Sequence, residues 1–125
     1  MKPIIQTKFG RPDGNCLEAC VASIMEVGID EVPDFPCGAS WFGKLEEWAA
    51  LRGFECIYVP VHWPIQPVGY YIMNGPGRRG LRHSVVAHDG IMVHDPHPSG
   101  AGLLSVDSYV LLFRPCGVRI VEEEP

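Results

Sequence analysis

The sequence lacks both a concentration of positive charge and a long apolar run, and each absence excludes a class of function. Lysine and arginine total 10 residues against 15 acidic residues, which gives a formal net charge of −5. A nucleic-acid-binding surface needs a stripe of basic side chains, so we expect no DNA or RNA partner. No segment approaches the roughly 18 apolar residues of a membrane span, and the apolar stretch near the N-terminus is too short for a signal peptide. We therefore expect a cytoplasmic protein with no membrane partner.

The cysteines lack the spacing of a disulfide framework or of a zinc ribbon. There are five of them, an odd number, and no Cys-x-x-Cys pair occurs. Several histidines cluster near Asp95, but none has a strong ligand spacing, and Pro96 interrupts the closest pair, His94 and His97. A metal-binding module is therefore the weakest alternative, and we predict no metal and no cofactor.

What is present is enough apolar sequence for one packed domain. The chain has 125 residues, 46% of them hydrophobic, so we predict a single domain over residues 1–125. Apolar residues at helical spacing come first in the chain, and residues typical of antiparallel strands come later, which indicates an α+β fold with helices packed on a sheet. The predicted helices are about Asn15–Val27 and Trp41–Arg52, and the predicted strands are residues 3–7 (a short edge strand), 54–61, 68–73, 82–87, 91–95 and 106–114.

Cys16 stands where a glycine-rich turn leads into the first predicted helix. Asn15 is suited to cap this helix through its side chain, and Glu18, three residues on, has the spacing of a capping box. Gly28 is suited to end the helix. These signals place the Cys16 thiol at a helix N-terminus, where the positive end of the helix dipole favours a thiolate.

A hairpin around Asp89-Gly90 decides whether His83 and Asp95 share a face. A two-residue turn would put these two side chains on opposite faces of the hairpin, whereas a three-residue loop, residues 88–90, pairs them directly. We predict the three-residue loop, because it gathers apolar side chains on one face and leaves only His83 and Asp95 as its polar end. We also expect the helix that begins near Cys16 to pack on this face.

The order cysteine, histidine, aspartate is suited to nucleophilic catalysis. A thiol becomes a good nucleophile only on losing its proton, which His83 would accept and later pass to the leaving group. Asp95 would bind the far ring nitrogen of His83 and hold its tautomer. The backbone N–H of Cys16 and the uncharged carboxamide of Gln6 would stabilise the developing oxyanion.

Three segments of the chain resemble the bacteriocin-processing (double-glycine) peptidases and their relatives in the papain-like superfamily. They are Asn-Cys-Leu-Glu-Ala-Cys-Val-Ala-Ser-Ile after an upstream Gln6, then His-Ser-Val-Val-Ala-His-Asp-Gly, then Val-His-Asp-Pro-His-Pro-Ser-Gly. The resemblance implies a papain-like fold with Cys16 as nucleophile, His83 as base, Asp95 as orienting acid and Gln6 as the oxyanion-hole residue. Asn15 and Leu17 replace the family's usual Asp and Gly, and the spacing from Gln6 to Cys16 is longer than the family's.

These observations predict a cysteine-dependent hydrolase that cleaves a peptide, isopeptide or side-chain amide bond of a peptide or protein substrate. Two alternatives remain open at this point. The same residues would serve a glutamine deamidase or transamidase, because the nucleophile and base are shared. A papain-like scaffold could also have been kept as a non-catalytic binding domain.

Overall fold

A computed structural model describes residues 1–10, 14–35 and 40–115, and it confirms the α+β class. Cys37 and Cys116 lie outside the described residues. Two α-helices, a short 3₁₀ segment and five antiparallel strands follow one another along the chain. In order they are α1 (Cys16–Met25), the 3₁₀ segment (Ile29–Glu31), α2 (Trp41–Ala50), β1 (Glu55–Pro60), β2 (Tyr70–Pro76), β3 (Arg82–His88), β4 (Ile91–His94) and β5 (Ser108–Phe113).

The five strands form one sheet in the order β1-β5-β2-β3-β4. The edge strand predicted at residues 3–7 is wrong, since this segment belongs to no strand. Its hydrogen-bonding groups are satisfied elsewhere: Gln6 N–H donates to the Pro96 carbonyl at 3.0 Å, and the Ile4 carbonyl lies 2.7 Å from His94 Nε2. The N-terminal segment is thereby held against the loop that follows β4.

Both helices pack on one face of the sheet. The predicted apolar stripe of α1 is confirmed by the burial of Cys20, Val21 and Met25, while Leu17 and Ile24 are partly buried against the same cluster. Fully burying one such side chain stabilises the fold by roughly 1.5–3 kcal/mol. The cluster combines residues of α1, α2, β2, β3 and β5, among them Cys20, Val21, Leu45, Ala49, Ile72, Val86 and Val110.

The ends of α1 differ from the prediction. Asn15 occupies the N-cap position but makes no side-chain cap hydrogen bond, because its Oδ1 instead accepts the N–H groups of Thr7 and Lys8, each at 3.0 Å. Glu18 forms no capping box; its Oε2 accepts the Phe35 N–H at 2.8 Å. The helix ends at Glu26, which adopts the left-handed conformation with φ 59°, and not through Gly28.

The β3–β4 hairpin also differs from the prediction, because its turn has two residues. Asp89 and Gly90 both have positive φ, 50° and 91°, as a type I′ turn requires, and His88 pairs with Ile91. The register then shifts by one residue: Ala87 pairs with Met92, and Val86 pairs with His94. The extra residue on β4 reverses the in–out alternation beyond it, which returns Asp95 to the face of His83.

The prediction that the first helix packs on the face that carries His83 is wrong. The core cluster beneath α1 contains Val86 but neither Val85 nor Ala87, although all three are fully buried. Alternation along β3 therefore places Ser84 and Val86 under the helix.

Candidate active site

His83 and Asp95 form a buried pair, as predicted. His83 is the second residue of β3, and Asp95 directly follows β4. His83 Nε2 and Asp95 Oδ1 lie 2.7 Å apart, and the two side chains are only 3% and 2% exposed. The remaining lone pairs of the carboxylate are used by the backbone: Oδ1 also accepts the His97 N–H at 2.9 Å, and Oδ2 accepts the Gly102 N–H at 2.7 Å.

These contacts keep Asp95 ionised and fix which nitrogen of His83 carries the proton. Burial works to raise the pKa of Asp95, but the hydrogen bonds from His83, His97 and Gly102 outweigh it and hold that pKa below its ordinary value. Asp95 is therefore ionised near neutral pH, and its Oδ1 accepts a hydrogen bond from the Nε2–H of His83. In the neutral imidazole, Nδ1 then carries no proton, which is the form that a general base needs.

Cys16 is the first residue of α1, as predicted, but the pKa of its thiol is raised and not lowered. Burial raises the pKa of the Cys16 thiol, the charge of Glu18 adds to this, and hydrogen bonding to Ser84 and Leu17 opposes it. The Cys16 side chain is therefore a thiol near neutral pH, and forming a thiolate there requires a base.

Gln6 reaches the same region through a turn that Asn15 holds. Asn15 accepts two backbone N–H groups with Oδ1 and donates its Nδ2–H to Thr7 Oγ1 at 2.9 Å. Gln6 itself is buried, and its Nε2 donates one proton to the Lys8 carbonyl at 2.8 Å. The carboxamide has a second N–H, which this hydrogen bond leaves available.

Cys16, His83 and Gln6 all line one cavity of about 860 Å³. Asp95 lies behind His83 and does not line it. Among the described residues no direct hydrogen bond joins Cys16 Sγ to the His83 ring. Hydrogen bonds between catalytic groups are often long without substrate and tighten in the substrate complex. The lack of one here is therefore compatible with a Cys16–His83 pair.

The rest of the lining combines aromatic and cationic side chains. Phe35, Trp41 and Tyr58 supply an apolar wall, and His97 and Arg79 lie on the lining as well. His97 stacks edge-on against Phe9, which also lines the cavity.

The sequence prediction missed a group of buried polar residues on the lining, namely Asn74, Ser84 and Ser108. The predicted strand ends at residue 73, but β2 continues through Asn74 to Pro76. The predicted hairpin register puts Ser84 on the face away from the helix. Register is the signal that could have found them. In the observed sheet Asn74 pairs with both Ser84 and Ser108.

Comparison with protein-family models, with curated proteins and with solved structures finds no match to this chain. In the ranges 1–10, 14–35 and 40–115, no helix is both long and apolar enough to cross a membrane. The same ranges contain no cluster of three or more His, Cys, Asp or Glu side chains arranged to hold a metal ion. The site is therefore described by its own geometry: a thiol at a helix N-terminus and a histidine line one cavity of an α+β fold, and a buried carboxylate is hydrogen-bonded to that histidine.

Proposed function

We propose that this protein is a cysteine-dependent hydrolase that cleaves a peptide, isopeptide or side-chain amide bond, on a papain-like fold. One observation carries the proposal: an ionised, buried Asp95 orients His83 on the wall of the cavity that also holds the Cys16 thiol. A buried carboxylate that receives three hydrogen bonds stabilises the imidazolium that forms when His83 accepts a proton. The three sequence segments that resemble double-glycine peptidases support the same assignment.

The reaction would begin with proton transfer from Cys16 Sγ to His83 Nδ1. The sulfur forms a bond to the carbonyl carbon of the substrate, and the carbonyl π electrons move to oxygen. The Cys16 N–H and the second Nε2–H of Gln6 stabilise this oxyanion. His83 then gives its proton to the departing amine as the carbon–nitrogen bond breaks, which leaves an acyl-thioester on Cys16. His83 next removes a proton from water, whose oxygen forms a bond to the thioester carbon. The carbon–sulfur bond then breaks, the carboxylic acid leaves, and His83 returns the proton to the Cys16 sulfur.

The cavity supports a substrate of peptide or side-chain size. Its volume of about 860 Å³ lies within the range of roughly 300–1,000 Å³ typical of small-ligand pockets. Phe35, Trp41 and Tyr58 provide apolar contact area in the same cavity as Cys16. An acyl group with an apolar side chain therefore fits this cavity.

The test uses Cys16→Ala and, as matched control, Cys20→Ala. Cys20 lies one turn further along α1 and is fully buried, so its loss reports on packing alone. On a panel of peptide, isopeptide and glutamine substrates, we expect Cys16→Ala to lower turnover by about a thousandfold or more, whereas Cys20→Ala keeps wild-type turnover per folded molecule. Mass spectrometry after brief iodoacetamide treatment should show Cys16 labelled before Cys20 and Cys56, which are both buried.

Equal activity of Cys16→Ala and wild type would contradict the proposal. Absence of turnover on every substrate, with a biological effect that Cys16→Ala preserves, would favour the non-catalytic binding domain. Ammonia release from glutamine, or amine incorporation when a primary amine is added, would redirect the assignment to deamidation or transamidation at the same thiol.

A further inference from the structure

Three polar side chains lie buried on the helix-facing side of the sheet, at the end where α1 begins. Asn74, Ser84 and Ser108 are 8%, 7% and 2% exposed. They occupy neighbouring positions on β2, β3 and β5, since Asn74 pairs in register with both serines. The other end of the same face is apolar, with Ile72, Val86 and Val110 in the core cluster. A polar cluster at such a position is costly unless its members satisfy one another.

The three side chains form a chain of hydrogen bonds. Ser84 Oγ donates to Asn74 Oδ1 at 2.7 Å, and Asn74 Nδ2 donates to Ser108 Oγ at 3.3 Å. The amide is thereby held with its oxygen toward Ser84. All three residues line the cavity that contains Cys16.

Ser84 connects this chain to the nucleophile. Ser84 and Cys16 line the same cavity, and hydrogen bonding by the Ser84 backbone and hydroxyl works to lower the pKa of the Cys16 thiol. A hydroxyl has one proton to donate and two lone pairs to accept with. While Cys16 is a thiol, the Ser84 proton is held by Asn74 Oδ1, and the hydroxyl oxygen is free to accept the S–H. A thiolate accepts hydrogen bonds but cannot donate them, so it competes with Asn74 for the same Ser84 proton.

We propose that Ser84 is a positioning residue for the nucleophile, whose hydroxyl turns from Asn74 to the Cys16 sulfur when the thiolate forms. This inference rests on the proposed function, in which Cys16 is the nucleophile. No bond to carbon changes in this step: the Cys16 proton goes to His83, and the Ser84 proton stays on its own oxygen while its hydrogen bond changes acceptor.

The two neighbours of this switch should act in opposite directions on the thiol pKa. Ser84→Ala removes the hydroxyl that would stabilise the thiolate, so the pKa of Cys16 rises. Asn74→Ala removes the competing acceptor, so the Ser84 proton is free for the sulfur and the pKa of Cys16 falls. A purely structural role would disturb the site in the same sense in both variants, because each removes one member of the same hydrogen-bonded chain.

The experiment measures the pH dependence of Cys16 alkylation by iodoacetamide, followed by mass spectrometry of the Cys16 peptide. The variants are Ser84→Ala, Ser84→Thr and Asn74→Ala. Ser23→Ala is the matched control, because Ser23 is also fully buried and hydrogen-bonded, with Oγ accepting Ile4 N–H at 3.0 Å and donating to the Ala19 carbonyl at 2.7 Å. Circular dichroism and urea unfolding establish that each variant is folded under the assay conditions.

We expect Ser84→Ala to slow alkylation at neutral pH by about tenfold, which corresponds to a rise of about one pKa unit for a hydrogen bond to a charged group. Ser84→Thr should restore most of the rate, Asn74→Ala should equal or exceed the wild-type rate, and Ser23→Ala should leave the pH profile unchanged. If Ser84→Ala does not fold, the direction of the change in Asn74→Ala decides by itself.

An unchanged pH profile in Ser84→Ala, or a rise of the Cys16 pKa in Asn74→Ala, would overturn the inference. Because alkylation needs no substrate, its outcome is separable from the proposed function. A profile that depends on Ser84 in a protein without hydrolase activity would reject the hydrolase alone. Hydrolysis that depends on Cys16 with a profile indifferent to Ser84 would reject the switch alone.

Discussion

The two ends of strand β3 differ in what they contribute to the molecule. Its first half carries His83 and Ser84, both buried polar residues in hydrogen bonds to Asp95 and Asn74. Its second half carries Val85 and Val86, which are fully buried and apolar. Apolar burial stabilises the fold without regard to direction, whereas a buried polar group avoids a desolvation cost only in one geometry. The apolar half therefore supplies stability, and the polar half supplies a defined orientation of reactive groups.

The largest effect is expected from changing the partner of the polar half, Asp95, without changing the shape of its side chain. Asp95→Asn keeps the volume of the side chain but removes the charge that stabilises protonated His83. We expect turnover to fall by about 10²–10⁴-fold, the typical contribution of a positioned base, with the fold retained. Asp89→Asn is the matched control, because Asp89 lies in the turn of the same hairpin and Asn tolerates its positive φ.

The same variant should change the acid stability of the protein. The folded pKa of Asp95 lies below its ordinary value, so its stabilising contribution is present above the unfolded pKa and is lost as the pH falls through the folded one. Urea unfolding between about pH 5 and pH 2 should show this loss in wild type and Asp89→Asn and a weaker one in Asp95→Asn.

Equal turnover of Asp95→Asn and Asp89→Asn would refute a catalytic role for the carboxylate.

A second change tests the packing against the apolar half of β3. Ile72 is fully buried beneath the helices, opposite Val86 on β2. Ile72→Ala should lower the free energy of unfolding by about 2–5 kcal/mol, because it removes buried methyl groups and leaves a cavity. Measured by urea unfolding, the midpoint should fall, while turnover per folded molecule stays close to wild type. Loss of turnover in molecules shown to be folded would mean that the two halves of β3 are not separable.

The smallest expected effect comes from Glu18, whose charge raises the pKa of Cys16. Glu18→Gln removes this charge and keeps an oxygen for the Phe35 N–H, so the pKa of Cys16 should fall. We expect iodoacetamide labelling of Cys16 at neutral pH to speed up a few-fold, because the change removes about one solvent-screened repulsion between two charges. Glu31→Gln, which changes an acidic residue hydrogen-bonded to Gly28, should leave the rate unchanged. Slower labelling in Glu18→Gln would contradict the expected sign.

Local pattern predicted most of the secondary structure and the side chains that meet at the site. The stripe on α1, the strands on either side of Asp89-Gly90, and the hydrogen bond between His83 and Asp95 all agree with the prediction. The edge strand at residues 3–7, the capping role of Asn15 and the three-residue turn do not. For the edge strand and for Asn15, a polar or backbone group found a partner outside its own segment, Pro96 for Gln6 and Thr7 for Asn15, and no local rule predicts such partners. For the turn, Asp89-Gly90 follows the local preference for a type I′ turn, and the bulge in β4 returns Asp95 to the face of His83.

The sequence by itself determined most of the segments that become helix or strand, and the order in which a thiol, an imidazole and a carboxylate occur, because periodicities of 3.6 and 2 are local properties of the chain. The tertiary structure alone decided that one extra residue in β4 returns Asp95 to the face of His83, and that α1 covers Ser84 instead of that face. It also decided that the pKa of the Cys16 thiol is raised, where the helix N-terminus alone would lower it. Desolvation and hydrogen bonding depend on everything packed around a group, and these contacts exist only once the chain has folded.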